Sequence, residues 1–312
     1  MVKEFDGEVK LMIPGISYVV KAEDKDLTIA EIILKRLQIS HSLLVKLKQQ
    51  QKITVNGNQV FTNYLVKPGE IVQIDLNLIE ENQISAENIP LDIVYSDDDF
   101  LVINKPAGMP VHPSRRHQSA TLANAVAYYW QQQNKHLLFR PISRLDKDTS
   151  GLILIGQNQF AHQGLAKQLS QKQVLRAYVA LVEGNIKTEA GTINFPIGRK
   201  EGSSIERTVL LDSNSDRGQT AVTHYRVLQQ FKGYTLLALQ LETGRTHQIR
   251  VHLSYLGHPL CGDTLYGGSS TLIGRQALHA DKLSFLHPRF KQKLNFSIPL
   301  PTDMIKAINL LG

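Results

Sequence analysis

Residues Gly151 to Ile155, Gly-Leu-Ile-Leu-Ile, are apolar without alternation. A short unbroken apolar run of this kind predicts a buried strand. The chain that carries it must supply other layers to cover it. With 312 residues, 42% of them hydrophobic and 20% charged, the chain has material for about two globular domains.

The strand is entered from Arg140 to Gly151, RPISRLDKDTSG, where acids, bases and hydroxyls crowd together. Mixed charge at the mouth of a buried strand lets one carboxylate be partly desolvated while cations keep it ionised. Asp146 and Asp148 are the candidates. An extended backbone would point both the same way, and a turn would separate them. The plainer reading is a capped turn in which Asp146 only satisfies backbone amides, and composition alone favours it.

Two further segments carry candidate chemistry. From Leu241 to Gly268, Gly244-Arg245 allows close approach of backbone to a phosphate. A helix opened by Thr246 and ending at Gly257 would place His247, Arg250 and Ser254 on one face. From Ile103 to Ser114, INKPAGMPVHPS, the prolines imply a rigid loop. Lys105 in this segment, and Arg115 and Arg116 just after it, are candidate nucleic-acid contacts. A fourth segment, Arg176-Ala177-Tyr178, reads on its own as core strand.

The polar stretch EENQISAENIP, residues 80–90, lacks periodicity and ends in proline. It divides a small unit, residues 1–80, from a larger one, residues 91–312, with 81–90 as linker. In the small unit Thr28 and Glu31 form a capping box. A second helix follows Ser40 or Ser42, a strand over 53–55 leads into the Asn56-Gly57 turn, and an alternating strand over 71–76 follows Lys67-Pro68-Gly69. This is a helix–helix–strand plan. In the larger unit, strands are expected at 91–95, 100–103, 151–155, 178–182, 222–228 and 234–241. Helices are expected at 121–132 and 160–169. Strands dominate and helices are scattered, so the fold class is α+β rather than a βαβ series.

The net charge of +7 and a pI near 9.3 suit a polyanionic partner. Between Leu27 and Gly69, Lys35, Arg36, Lys46, Lys48, Lys52 and Lys67 face one acid, Glu31. That cluster is a candidate phosphate-contacting surface, although residues 1–80 as a whole are neutral.

Several chemistries are disfavoured. Cys261 is the only cysteine, which excludes an intrachain disulfide and a Cys-based zinc site and fits a reducing cytosol. His247 and His252 do not share a helix face, and no HExxH occurs, so no metal is expected. Neither GxGxxG nor GxxxxGK[ST] is present, nor a GxSxG elbow, so no cofactor is expected. No apolar run is long enough to span a bilayer, and the start, MVKEFDGEVK, is not followed by the apolar core of a secretory signal. The expected location is cytoplasmic, and a monomer is the default.

Taken together, these segments resemble the RluA/RluD-type pseudouridine synthases. RLDKDTSGL is similar to the family's carboxylate motif and INKPAGMPVHPS to its upstream Lys-Pro motif. RAYVALVEG is similar to its tyrosine motif and TGRTHQIRVHLSYLGHPLCGDTLYGG to its C-terminal signature. Residues 15–80 resemble a small S-four-like RNA-binding domain. One departure is Ser143, where the family usually has histidine. The resemblance implies a mixed, mainly antiparallel-sheet catalytic domain that isomerises an RNA uridine. It implies Asp146 as the essential carboxylate, Arg250 as the partner that keeps it ionised, and Tyr178 as the ring that stacks on the uracil. Arg144, beside Asp146, would fill the space left by a flipped base or grip the flanking phosphate. Arg245 and His247 join it as candidate RNA contacts. Ribosomal RNA is the expected target and transfer RNA the alternative. A non-catalytic RNA-binding factor, or a hydrolase pairing Asp146 with Asp148, would be the competing functions.

Overall fold

The computed structural model describes residues 15–80, 83–114, 118–211 and 218–312. Arg115 and Arg116 lie outside the described residues. Two sheets with separate cores organise the chain. The first has strands β1 (Ile16–Val19), β2 (Ile53–Val55), β3 (Asn58–Gln59) and β4 (Ile71–Ile74) in the order β1-β4-β2-β3. Helix α1 (Ile29–Glu31) opens on the Thr28–Glu31 capping box and continues as a wider turn over Ile32–Arg36. Ser40 caps α2 (His41–Gln49) by accepting the Leu43 N–H. Ile29, Ile32, Ile33, Leu43 and Leu47 are buried together against Val72 and Ile74 of the sheet.

The large sheet starts with β5 (Asp92–Ser96) and β6 (Phe100–Lys105). It continues through β7 (Arg140–Pro141), β8 (Ser150–Gly156), β9 (Leu175–Glu183) and β10 (Ala190–Asn194). A separate hairpin, β11 (Ile197–Arg199) and β12 (Arg207–Val209), interrupts it. It resumes with β13 (Val222–Phe231), β14 (Tyr234–Leu241), β15 (Leu278–Leu286) and β16 (Lys293–Ser297). The order is β10-β13-β14-β9-β15-β8-β6-β5, with β16 beside β15 and β7 beside β8. Among the described residues, β15–β8 is the parallel pair and the other named pairs are antiparallel. Helices α3 (Leu122–Gln131), α4 (Gln159–Ser170), α5 (Gln248–Tyr255) and α6 (Thr302–Asn309) pack around it. The fold is therefore α+β with a mainly antiparallel sheet. Every residue of β8 is buried, as its unbroken apolar sequence requires. Among the described residues, no helix is long and apolar enough to cross a membrane.

The structure changes three sequence expectations. Helix α5 starts at Gln248, not at Thr246, and His247 is its N-cap in the left-handed region at φ 57°. His247 therefore does not share a helix face with Arg250. Strands β1, β3, β7, β10, β11, β12, β15 and β16 and helix α6 were not expected. The cluster of small-domain cations is largely engaged within the protein. Lys35 pairs with Glu31 at 2.9 Å, Arg36 with the buried Asp24 at 2.6 Å, Lys46 with Glu80 at 3.2 Å and Lys52 with Asp75 at 2.6 Å. Of those five candidate contacts, Lys48 has no ion-pair partner among the described residues. Glu80, whose side chain is only 7% exposed, also receives Arg140 from β7 and so ties the end of the small unit to the large sheet.

Candidate active site

The segment between β7 and β8 turns at Asp146, whose carbonyl accepts the Thr149 N–H at 3.2 Å. The turn then enters β8 through Gly151 at φ +117°. A Cβ there would meet the Ala280 carbonyl oxygen at 2.3 Å, so only glycine lets the turn lie this close to β15. Asp146 and Asp148 are thereby separated. Asp146 lines a cleft with Arg144, Tyr178, Arg245, His247 and Arg250, and it is the one carboxylate among the lining residues.

Arg250 reaches this carboxylate from α5. Its Nη1 donates to Asp146 Oδ2 at 3.2 Å. Its Nε and Nη2 donate to the two oxygens of Asp263 at 2.7 and 2.8 Å. The guanidinium thus spends its planar fork on Asp263 and its remaining edge on Asp146. Tyr266 covers it, with the guanidinium carbon 4.9 Å from the ring centroid. Burial would lower the Arg250 pKa, but Asp263 and Asp146 outweigh it and raise it. Asp146 keeps 26% of its side-chain exposure, while Asp263 keeps 1%. The relay therefore runs from a fully buried anchor to a carboxylate open to the cleft.

Tyr178 sits on β9, opposite Leu239 of β14, and its ring joins the main core. Burial raises its phenol pKa; Arg176 opposes the rise and Asp146 adds to it. It is a neutral phenol at ordinary pH, suited to stacking and unsuited to act as a free base.

The Thr243–Gln248 turn is pinned by one buried side chain. Gln248 Oε1 accepts the Thr243 hydroxyl and the Arg245 N–H at 2.8 and 3.0 Å. Its Nε2 donates to Val222 O and Thr223 Oγ1, both at 3.0 Å, so the turn is fastened to β13. His247 Nδ1 and the Tyr266 hydroxyl are 2.8 Å apart. Burial lowers the His247 pKa, which keeps the ring neutral near pH 7. Arg245 donates to Thr220 O and Gln219 Oε1 at 3.1 Å and remains exposed at the rim. Arg144 is also exposed there.

Lys105 is a correction. Sequence placed it among the nucleic-acid contacts, but its side chain is fully buried. Its ammonium donates to Pro106 O at 2.8 Å and to Met109 O and Lys147 O at 2.9 Å. Burial pulls its pKa down to about 7, against the pull of Asp148 and Asp146. It fastens the Lys-Pro loop to the residue after Asp146 and does not face solvent.

Of the site residues expected from sequence, the structure brings Asp146, Tyr178, Arg250, Arg144, Arg245 and His247 to one cleft. Sequence reasoning missed Asp263, Tyr266 and Gln248. An acid and a tyrosine set among glycines in CGDTLYGG were the available signal. Among the described residues no group of three His, Cys, Asp or Glu side chains could hold a metal ion.

Residues 99–255 match the family model for RNA pseudouridylate synthases. An uncharacterised RNA pseudouridine synthase of Bacillus subtilis is 45% identical over 277 residues, covering 87% of this chain and 95% of the relative. Ribosomal large subunit pseudouridine synthase D of Vibrio cholerae is 40% identical over 282 residues, covering 86% and 85%. In solved structures, human RNA pseudouridylate synthase domain containing 1 aligns with a TM-score of 0.57 at 29% identity, covering 69% of this chain and 85% of that one.

Proposed function

The chain belongs to the RNA pseudouridylate synthase family, isomerases acting on RNA, and we propose that Asp146 is its catalytic carboxylate and ribosomal RNA its target. The reaction detaches uracil from ribose, rotates it and rejoins it through carbon 5. Reactant and product are isomers, so the step consumes no redox partner. The observation that carries the reading is the Asp146–Arg250–Asp263 relay opening into a cleft lined by Tyr178. The cation lies against the carboxylate that must act on the ribose, as nucleophile or as base. Tyr178, held neutral by burial, offers a ring face to the freed uracil. A hydrolase would need a second carboxylate facing the first, and Asp148 is not among the residues that line the cleft.

Arg144 and Arg245 stand exposed at the rim, where a flipped nucleotide would enter. We assign them to the RNA, with Lys48 and the exposed part of Lys35 on the small domain. The ribosomal preference draws on the name of the Vibrio cholerae relative and on the additional small domain. The test is tritium release from carbon 5 of uridine-labelled ribosomal and transfer RNA transcripts. Release from ribosomal RNA that vanishes in Asp146→Ala supports both assignments. Release only from transfer RNA overturns the target, and full activity of Asp146→Ala overturns the residue.

A further inference from the structure

The turn that carries Asp146 is held from behind by residues far from it in sequence. Arg275, just before β15, donates through Nη1 to Asp148 O at 3.1 Å and through Nη2 to Ser150 Oγ at 3.3 Å. Its neighbour Gln276 donates to Thr149 Oγ1 at 3.2 Å, with both side chains buried. Three consecutive residues after Lys147 are therefore gripped by two consecutive side chains. The same segment also abuts the other end of the relay. The Ala277 N–H donates to Cys261 O at 2.8 Å. A Cβ on Gly262 would meet Arg275 O at 2.0 Å, so this backbone passes directly behind the residue before Asp263. Ile273–Ala277 thus touches the Asp146 turn on one side and the Asp263 turn on the other.

Helix α6 braces this segment. Asp303 in its first turn takes Arg275 Nε at 2.6 Å and Nη2 at 2.9 Å. Met304 and Ala307 of α6 pack on Ile273, Ala277 and Cys261. Neither Arg275 nor Asp303 lines the cleft.

We propose that Arg275 and Gln276 are positioning residues for Asp146, setting its place against Arg250, and that α6 acts on the active site through the Asp303–Arg275 pair. This rests on the assignment of Asp146 as the catalytic carboxylate for its kinetic part only. Two fixed points, one beside each carboxylate of the relay, determine how closely Asp146 meets Arg250. Displacing a reacting group by about 1 Å costs on the order of 100-fold in rate.

The experiment compares wild type, Arg275→Met, Arg275→Lys, Asp303→Ala and the Arg275→Met/Asp303→Ala double variant. Backbone deuterium exchange of Thr149, whose N–H is bonded to the Asp146 carbonyl within the turn, is read first, because it needs no substrate. Arg275→Met should raise exchange there about tenfold while β6 and β8 stay protected. Unchanged exchange in that turn overturns the proposal whether or not the protein is active. Steady-state kinetics on the RNA identified above follow. In Arg275→Met, kcat should fall about 100-fold with KM within about twofold, and Arg275→Lys should recover part of the loss. Equal losses in kcat and RNA affinity, or full kcat in folded Arg275→Met, would reject positioning. Asp303→Ala should lower kcat alone yet add nothing in the Arg275→Met background. Additive losses would separate α6 from the active site. Should Arg275→Met fail to fold, Gln276→Ala and Asp303→Ala carry the same exchange test. A wild type that is inactive on every RNA would refute the functional assignment and leave the exchange result to decide the brace.

Discussion

Arg250 joins two carboxylates with different burial, and that difference lets stability and catalysis be separated. Arg250→Met removes the cation and leaves Asp263, 1% exposed, as an unpaired buried charge. Breaking a buried pair by removing one partner costs about 3–5 kcal/mol. Replacing both partners by apolar groups of similar shape is close to neutral. Arg250→Met/Asp263→Leu should therefore regain most of the stability, read as the urea midpoint at constant m-value. It should not regain the rate, because Asp146 still lacks its cation. The size of that loss follows from the 3.2 Å contact. At this separation a charge pair is worth about 5 kcal/mol at an effective dielectric of ~20 and about 1.3 kcal/mol in bulk water. With Asp146 26% exposed, the effect falls between these limits. The double variant should lose between about tenfold and a few thousandfold in kcat/KM in the tritium-release assay. A double variant that recovers stability and rate together would show that Arg250 is purely structural. One that recovers neither would refute the argument from an uncompensated Asp263.

Three other outcomes follow from the same geometry. The folded state raises the Tyr178 pKa above its ordinary value near 10, so the native protein holds a proton that the unfolded chain releases. Stability of the wild type relative to Tyr178→Phe should be level below about pH 10 and fall above it in urea titrations. A level difference up to pH 11 would contradict this. Lys105 has the opposite sign: with a folded pKa of about 7, the unfolded chain binds the extra proton from there up to about 10.4. Wild-type stability relative to Lys105→Met should therefore rise as pH increases through that window, and a flat difference would mean the ammonium stays charged. Gly151→Ala, with φ +117° and backbone 2.3 Å from the new Cβ, should cost at least about 2 kcal/mol by chemical denaturation. A loss below 0.5 kcal/mol would show that the turn yields easily.

The legible part of this molecule was the part whose logic is local. Capping at Thr28 and Ser40, the Asn56-Gly57 turn, the apolar β8 and the β13–β14 hairpin each follow from neighbouring residues. Strand β15 was not legible for a structural reason. Its sequence LHADKLSFL sets Asp281-Lys282 at its centre, where a central strand is expected to be apolar. At that point the strand changes partner on one side, from β8 at His279 and Ala280 to β16 from Lys282 onward. The register against β9 shifts between the same residues. The charged pair marks a junction between two half-strands, which no one-dimensional period records.

The same distinction explains the site. A lysine in sequence reads as a solvated charge, and Lys105 was placed on the surface for that reason. Only tertiary closure supplies three carbonyls to one ammonium, from Pro106, Met109 and Lys147. The small-domain cations follow suit, since Asp24, Asp75 and Glu80 that engage them lie outside the window in which the charge was counted. On composition Asp146 is more plausible as a turn residue than as a catalyst, and the geometry is compatible with both readings at once. It is a turn residue, but Lys105, Arg275 and Gln276 satisfy the turn from behind, at Lys147, Asp148, Thr149 and Ser150. The Asp146 carbonyl takes the Thr149 N–H, and among the described residues its carboxylate accepts no backbone amide and is open to Arg250. A side chain that caps its own turn is spent. Here the main-chain carbonyl closes the turn, which leaves the carboxylate available for the role proposed for it.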